Sequence, residues 1–579
     1  MSCLFYGFLS LRIKVFSSKM ASFLVTLINV IVSSIDLILY PINFLIYKKP
    51  WKLPPRRPYG YQPHQLIFCG ANSSQVLLKP SLPEPTCENS HAMKTAGVDT
   101  MNMVLEYMMA KYGNRPCLGY RKVLGTRRHL TDDGTVLEKI IFEDRYTWQS
   151  YHEIHQRVFN VAKGIYSMGI RPKDKLLIYA DTSPEWLITA LACFKSSVTI
   201  VTLYTNLGDE GIIYGINQVQ VHTLVTNQSL LPKILSLKEQ LPHLKTVIVF
   251  VNHATKKVIY LRQNHITIVP FPHVESRGTK MNTSQLKQPT PDSEAVIMYT
   301  SGSTGEPKGV ILTHKNLTSS LMGCCIRACN LMGYERYSEE VYLAYLPLAH
   351  IFEITQEIIV LSLGIKVGYS SPHTLTDTST AIMPGHRGDI SILRPTVMAA
   401  VPLILDRIYK SFRSKVGQKG QSFQEIFDFC VAYRVWWLRK GYDTPFLNRV
   451  LFGKIRNSFG GHLKAIIAGG APLSPNVHNF LRATLGINLA QGYGLTESNG
   501  GITLSTAEDL SVGRVGNLLP GVQLKLKDWV EGGYMVLDQT GHGPRGEILL
   551  GGPMIASGYY QLPEKTEESF YVDPNDGLR

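Results

Sequence analysis

The sequence has few charged residues, and acidic ones are fewer than basic ones. This balance limits the kinds of molecule that the protein is expected to bind. Of 579 residues, 18% are charged, and 44 acidic residues stand against 59 lysines and arginines, a formal charge of +15. The basic residues are spread along the chain without a nucleic-acid recognition motif, so nucleic acid is excluded as the expected partner. An anionic membrane surface or a polyanionic small molecule is the predicted reason for the excess.

Cysteine is present but never in a metal-binding pattern. The nine cysteines include no Cys-x-x-Cys pair and no histidine-rich spacing. The densest group, Cys324, Cys325 and Cys329, falls in a predicted helix, where small buried thiols are expected rather than metal ligands. The pattern favours free thiols in a reducing compartment.

Long apolar runs are also scarce, and the clearest one lies near the amino terminus. From Ala21 to Tyr47 the single charge is Asp36 and the single strong helix breaker is Pro41. The run is long enough to span a bilayer, and five basic residues within 48–57 favour a cytoplasmic body. Residues 1–49 are therefore predicted to be a membrane anchor, with an interfacial helix or a hairpin bent at Pro41 as alternatives. A cleaved signal peptide is disfavoured because no small-residue cleavage site follows.

The rest of the chain divides into a linker and a globular body. Residues 50–96 are rich in proline and polar residues, which predicts a linker or a strap over the surface. Beyond residue 97, helical runs alternate with strand signals at 175–180, 197–204, 222–226, 245–251, 341–346, 396–401 and 464–468. This alternation predicts an α/β fold with parallel sheets and helices on both faces. We expect one large α/β body over 97–579 with two sheet-centred subdomains, flanking helices and optionally a small β subdomain.

The most distinctive segment is Tyr299–Gly309, which reads YTSGSTGEPKG and follows an apolar stretch. Its glycines can adopt the positive φ angles that turn successive backbone amides toward one anion. The hydroxyl groups add donors, and Lys308 adds a mobile positive charge. The common nucleotide-triphosphatase loop needs Gly-Lys-Ser/Thr, whereas here Pro307 precedes the lysine. A phosphate-holding loop is predicted, in preference to a flexible turn between a strand and a helix.

Two further glycine-rich segments, GGAPLS at 469–474 and QGYGLTES at 491–498, support this interpretation. The first follows a predicted strand, and ligands of open α/β sheets bind at the carboxyl ends of strands. In the second, Tyr493 is predicted to stack on a base, Thr496 to bind a phosphate oxygen and Glu497 to hold Mg²⁺. Singly these would be a turn tyrosine, a capping threonine and a solvated glutamate. Their order after YTSGSTGEPKG favours a nucleotide site.

Together with PRGEI at 544–548, these segments resemble in order the signatures of the adenylate-forming (AMP-binding) enzyme superfamily. Four further segments are similar to eukaryotic long-chain fatty-acid–CoA ligases: YLPLAHIFE at 345–353, GYSSPHTLTD at 368–377, RPTVMAAVP at 394–402 and LKDWVEGGY at 526–534. They look closest to the animal subgroup of the endoplasmic reticulum and lipid droplets, which often favours polyunsaturated chains. The resemblance covers residues 97–579.

The resemblance implies an ATP-dependent acyl-CoA ligase that makes an acyl-adenylate and then a thioester, releasing diphosphate and AMP. ATP, Mg²⁺, coenzyme A and a long-chain fatty acid are the implied cofactors and partners, with membrane lipid at the anchor. No protein nucleophile is required, because such catalysis depends on positioning and charge stabilisation. The absence of a Ser-His-Asp signature agrees with this.

The resemblance also assigns site residues by their place in the motifs. It implies that nucleotide is bound by Thr300, Ser301, Gly302, Ser303, Thr304, Gly305, Lys308, Gly469, Gly470, Ala471, Pro472, Gln491, Gly492, Tyr493, Gly494 and Thr496. The implied catalytic residues are Lys308, Thr304, Glu497 and His350, and Glu497 and Thr304 are the implied metal ligands. For His350, which follows an apolar run, a purely structural role is the alternative.

The family pattern includes a Thr-Gly-Asp motif, a hinge and a small carboxy-terminal cap domain that this sequence does not contain. We expect an incomplete form of the ligase with weak ATP binding and poor turnover. A capless nucleotide- or fatty-acid-binding scaffold, or a ligase for another acid, is the alternative. The expected location is the endoplasmic reticulum membrane with a cytoplasmic body, and the lipid droplet, outer mitochondrial membrane and peroxisomal membrane are alternatives.

Overall fold

The computed structural model describes residues 87–130, 136–251, 266–281, 286–300, 306–332, 337–537 and 544–572. It also describes the backbone of 64–68, 75–80 and 261–263 and a few helical positions between 26 and 34. The strands are β1 (His64–Phe68), β2 (Gln75–Pro80), β3 (Pro116–Leu130), β4 (Val136–Ser150), β5 (Lys175–Tyr179), β6 (Thr199–Thr202), β7 (Thr223–Asn227), β8 (Thr246–Phe250), β9 (Leu261–Gln263), β10 (Ile266–Pro270), β11 (Glu294–Thr300), β12 (Lys308–Thr313), β13 (Val341–Ala344), β14 (Lys366–Tyr369), β15 (Val397–Ala400), β16 (Ala465–Ala468), β17 (Asn488–Leu495), β18 (Gly500–Leu504), β19 (Asn517–Leu518), β20 (Gln523–Lys527), β21 (Glu547–Gly551) and β22 (Gly558–Tyr559).

The helices are α1 (Glu88–Thr95), α2 (Met101–Tyr112), α3 (Tyr151–Ser167), α4 (Pro184–Lys195), α5 (Asp209–Val219), α6 (Leu231–Ser236), α7 (Phe271–Thr279), α8 (His314–Met332), α9 (Ile351–Ser362), α10 (Asp389–Leu393), α11 (Pro402–Gly417), α12 (Gln421–Arg439), α13 (Pro445–Leu447), α14 (Gly453–Asn457), α15 (Pro475–Leu485) and α16 (Pro563–Ser569). Short 3₁₀ turns occur at Lys238–Gln240 and Tyr337–Glu339, and a π turn occurs at Asn448–Phe452.

Two large sheets form the centre of the molecule. In the described residues the first has the order β22-β12-β11-β6-β5-β7-β8-β10-β9, and the second has the order β19-β18-β17-β16-β15-β13-β14-β3-β4. Their central strands are parallel, from β11 to β10 in the first sheet and from β3 to β17 in the second. The predicted α/β fold with two sheet-centred subdomains is therefore confirmed.

A third, smaller sheet accounts for part of the predicted linker. It is antiparallel, with the order β1-β2-β20-β21. Both β1 and β2 lie within 50–96, as does α1, so this segment contains regular secondary structure. The small sheet also corresponds to the expected small β subdomain.

No helix in the described part of the chain is both long and apolar enough to cross a membrane. Most of the predicted anchor, 21–47, lies outside the described residues. At Thr26, Leu27, Val30, Ile31 and Ser34 the chain is helical. The anchor stays a prediction.

The helix α8, which follows the phosphate segment, connects the two large sheets. α8 contacts β12 of the first sheet and β18 of the second, and it also packs on α9. On α9, Glu353 and Glu357 are fully buried and accept hydrogen bonds from the hydroxyls of Tyr342 (2.9 Å) and Tyr369 (2.7 Å). Burial raises the pKa of Glu353 well above its usual range and that of Glu357 to about 8. Both carboxyls are thus neutral at pH 7 and hold α9 by neutral hydrogen bonds.

Replacing Glu357 with glutamine should change how stability depends on pH. The raised pKa of Glu357 means that, as pH rises from about 4.5 to 8, the unfolded chain releases a proton that the folded chain keeps. The free energy of unfolding should therefore fall through this window by up to about 1.4 kcal/mol per pH unit from this group. Glu357→Gln keeps an acceptor for the Tyr369 hydroxyl but cannot titrate, so it should escape this loss of stability. The free energy of unfolding of the variant minus that of the unaltered protein should therefore be larger at pH 8 than at pH 5. Denaturant unfolding at both pH values measures this, and a difference that is constant with pH would contradict it.

Candidate active site

The predicted motifs meet around one cavity at the carboxyl ends of the central strands. The cavity has a volume of about 390 Å³. Its wall includes Thr300 at the end of β11, Gly469 after β16 and Tyr493 in β17. His350, just before α9, completes this side. Gly469 and Tyr493 lie together because β16 and β17 are neighbouring parallel strands of the second sheet. Thr300 ends a strand of the first sheet, so the cavity lies where the two large sheets approach each other.

The phosphate segment is the turn of a hairpin. Thr300, the last residue of β11, is paired with Lys308, the first residue of β12. The ends of the loop are thus held beside each other at the cavity mouth, where Thr300 lines the wall. The other predicted loop ligands, Ser301, Gly302, Ser303, Thr304 and Gly305, lie outside the described residues.

The QGYGLTES segment forms a tight turn that only glycine permits. A Cβ on Gly494 would lie 1.7 Å from the carbonyl oxygen of Gly500, so the two strands of the turn approach more closely than any side chain allows. Ser498 closes the turn, because its hydroxyl accepts a hydrogen bond from the Leu495 amide at 3.0 Å. Tyr493 is half-buried and Thr496 is buried, and both line the cavity.

Some of the other predicted nucleotide ligands line the cavity and some do not. Gly469, Gly470, Gly492 and Gly494 line the cavity. Ala471 and Pro472 are exposed and Gln491 is buried, and none of the three lines the cavity. The structure thus brings the glycines to the cavity, whereas these three flank it.

His350 has a structural role as well as a place in the wall. It is the N-cap of α9, and its Nδ1 accepts a hydrogen bond from the Phe352 amide at 3.0 Å. In the neutral ring the proton then resides on Nε2. Burial lowers the pKa of His350, which favours this neutral form. The structural interpretation of His350 is therefore confirmed, and its catalytic role stays a prediction.

Glu497 and Lys308 are linked by a residue that sequence reasoning missed. The Tyr559 hydroxyl donates to Oε1 of Glu497 at 2.8 Å, and the Lys308 Nζ lies 5.1 Å from the centre of the Tyr559 ring. Tyr559 occurs in the unremarked sequence Gly558-Tyr559-Tyr560, and nothing local indicates a site. It reaches the site because β22 pairs with β12.

Part of the cavity wall is apolar and is called the apolar end. It comprises Cys324 and Ala328, one turn apart on α8, together with Ile359 of α9 and Leu519. None of these residues belongs to a glycine-rich motif. Their only sequence signal is helical apolar periodicity, which does not distinguish a cavity wall from an ordinary core.

The residues present fit a magnesium ion. Glu497 is the one carboxylate among the described residues of the cavity wall, and no cluster of three or more metal-ligating side chains occurs in the described chain. Mg²⁺ is usually held by one or two carboxylates, water and substrate phosphates rather than by an all-protein cage. A single carboxylate near a phosphate loop matches this pattern.

Comparisons with known proteins identify the family of the chain. The AMP-binding enzyme family matches residues 131–560. Long chain acyl-CoA synthetase 8 of Arabidopsis thaliana is 39% identical over 487 residues, covering 82% of this chain and 66% of the relative. Long-chain-fatty-acid–CoA ligase 1 of Schizosaccharomyces pombe is 32% identical over 498 residues, covering 82% of this chain and 70% of the relative. The chain thus spans about two thirds of the length of these relatives.

A solved structure shares the fold. The A domain of carboxylic acid reductase from Segniliparus rugosus, in complex with AMP and a co-purified carboxylic acid, aligns with a TM-score of 0.64 at 20% identity. The alignment covers 86% of this chain and 73% of that domain. The chain belongs to the AMP-binding enzyme family. Within it, the resemblance to AMP-forming long-chain acyl-CoA ligases is confirmed.

Substituting His350 should separate its capping role from its titration. His350→Ala removes the cap on the Phe352 amide and should lower the free energy of unfolding by about 1 kcal/mol, whereas His350→Asn supplies another capping oxygen. Because the folded pKa is lowered, the unfolded state alone takes a proton as pH falls below about 6.5, and stability should decline there. His350→Asn should weaken this decline between pH 7.5 and 5.5 in denaturant unfolding. Identical pH dependence in the two proteins would refute the assignment of a buried neutral ring.

Proposed function

We propose that this chain activates a long-chain fatty acid with ATP and transfers the acyl group to coenzyme A. The observation that carries the proposal is the mixed lining of one cavity, which combines residues of the phosphate and aromatic motifs with apolar side chains of α8 and α9. A fatty acid has the same division between a reactive carboxylate and an apolar chain. The family membership and the long-chain ligase relatives support this assignment.

Each residue has a role in this scheme. The fatty-acid carboxylate attacks the α-phosphorus of ATP, diphosphate leaves, and the coenzyme A thiol then displaces AMP. Tyr493 and the glycines at 469–470 frame the adenine, and Thr300, Thr304 and Lys308 bind phosphate oxygens. Glu497 and Thr304 would hold Mg²⁺, which neutralises phosphate charge when bound. His350 would donate a hydrogen bond from Nε2 to an oxygen at the reacting centre, since its Nδ1 already accepts the hydrogen bond of the helix cap.

The finer expectations are also proposals. Residues 21–47 would anchor the body to the endoplasmic reticulum membrane, as their apolar composition and basic flanks suggest. The polyunsaturated preference rests on the resemblance alone. Fractionation of a tagged chain with and without residues 21–47 tests the anchor, and recovery of both forms with membranes would contradict it.

Filling the apolar end should change the choice of acid while leaving nucleotide binding intact. The graded series Ala328→Val, Ala328→Leu and Ala328→Phe adds bulk at a buried wall residue on α8. The measurement is the exchange between ATP and diphosphate that depends on added fatty acid. With Ala328→Phe the exchange rate should fall on the order of tenfold or more for palmitate and much less for the shorter octanoate. The reason is that a single methylene gained or lost in a pocket already changes discrimination by about tenfold or more.

The control for this series is the Kd of ATP, which should stay constant across it. Parallel loss of octanoate and palmitate activity would show that the apolar end does not hold the acyl chain. ATP binding by the unaltered protein without exchange for any fatty acid would contradict the ligase proposal and favour a nucleotide-binding scaffold.

A further inference from the structure

Tyr559 contacts two charged residues of the predicted nucleotide site, Lys308 and Glu497, with different parts of its side chain. Its hydroxyl donates to the Glu497 carboxylate, and its ring face receives the Lys308 ammonium. Within the described chain, neither Lys308 nor Glu497 forms an ion pair. The tyrosine thus satisfies both charges while keeping them apart.

The position of Tyr559 is fixed from several sides. Its backbone is paired with Val310 of β12, and its amide donates to the hydroxyl of Thr566 at 3.0 Å. Its ring packs edge-on against Phe570 at 5.4 Å. Only 8% of the residue is exposed. These contacts leave the Tyr559 side chain little conformational entropy to lose, so it can fix the positions of the side chains that it contacts.

The chemistry of the two contacts explains why a tyrosine suits this place. A direct salt bridge between Lys308 and Glu497 would neutralise both and compete with phosphate and metal for them. A ring face attracts an ammonium without cancelling its charge. A hydroxyl donor occupies one carboxylate oxygen and leaves the remaining acceptor positions for a cation. Burial raises the pKa of Tyr559 to about 12, so the hydroxyl stays a donor at physiological pH.

We infer that Tyr559 is a positioning residue of the nucleotide site, whose hydroxyl orients the Glu497 carboxylate for Mg²⁺ and whose ring places Lys308 for phosphate. The inference rests on the proposed function in taking ATP with Mg²⁺ as the occupant. It does not depend on which acid is activated.

Two substitutions separate the two contacts. Tyr559→Phe keeps the ring and removes the hydroxyl, so it should disturb Glu497 alone. Tyr559→Leu removes both and should disturb Lys308 as well. Tyr560→Phe is the matched control. The Tyr560 ring also has an ammonium over its face, the Lys175 Nζ at 5.1 Å from the ring centre. Tyr560 does not, however, line the cavity or its mouth.

The measurement is ATP binding to the whole chain by calorimetry as a function of Mg²⁺ concentration. In Tyr559→Phe the Mg²⁺ concentration for half-maximal enhancement of binding should rise about tenfold, as expected for loss of a hydrogen bond to a charged group. Binding without Mg²⁺ should stay unchanged in Tyr559→Phe and weaken several-fold in Tyr559→Leu, because only the latter loses the ring under Lys308. Tyr560→Phe should match the unaltered protein in both.

Several outcomes would overturn the inference. A Mg²⁺ midpoint for Tyr559→Phe within twofold of the unaltered protein would show that the hydroxyl does not act through Glu497. Equal weakening of binding with and without Mg²⁺ in Tyr559→Phe, accompanied by a lower Tm, would show a merely structural role. Binding of ATP by the unaltered protein with no response to Mg²⁺ would also refute it. Normal Mg²⁺-dependent effects without fatty-acid activation would support the inference while rejecting the ligase proposal.

Discussion

The site depends on one short segment, 555–560, that bonds to both large sheets. The Ala556 amide donates to the Glu497 carbonyl at 2.7 Å, on the side of the second sheet. The Tyr560 amide donates to the Gly309 carbonyl at 2.7 Å, on the phosphate hairpin of the first sheet. Backbone hydrogen bonds from this segment therefore fix the position of the phosphate hairpin relative to the turn that carries Glu497. Asn316, in the first turn of α8, adds a third attachment by donating to the Ile555 carbonyl at 2.9 Å.

The electrostatics of α9 are consistent with an anion site at its start. An N-terminal helix end favours negative charge, and His350 occupies this end with a neutral ring. Glu353 and Glu357 lie one and two turns further along, yet their pKa values are raised by burial, so they carry no charge at pH 7. Ionised, they would repel phosphate through a low-dielectric interior. Protonated, they retain only their hydrogen-bonding function toward Tyr342 and Tyr369.

The sequence predicted the strands and the glycine turns because these depend on local chemistry. The strand signal at 175–180 became β5, the one at 464–468 became β16, and a helix begins at Pro475 as expected. The convergence of β16 and β17 at one edge followed from the geometry of parallel sheets. Tyr559, the apolar wall and the approach of Thr300 from the other large sheet could not be predicted in this way, since each depends on contacts over long range. β22 pairs with β12 across some 250 positions, and Leu519 and α8 are far apart in the chain yet line one cavity. Within 50–96, β1 pairs with β2, whereas β2 also pairs with β20 far along the chain, which no local pattern indicates.

The cavity wall combines two kinds of structure, and under the proposed function this has a consequence for substrate choice. The phosphate and aromatic motifs are turns after strands, fixed by backbone hydrogen bonds and by glycines that tolerate no side chain, as at Gly494. The apolar end consists mainly of helix faces, to which Ala328 and Cys324 contribute small side chains. Side chains on a helix can change volume without moving the backbone of a strand turn. If the apolar end holds the acyl chain, as we propose, substitutions on α8 and α9 would select the acid while the nucleotide site stays constant. This would explain why the phosphate motifs carry no information about the length of the acyl chain.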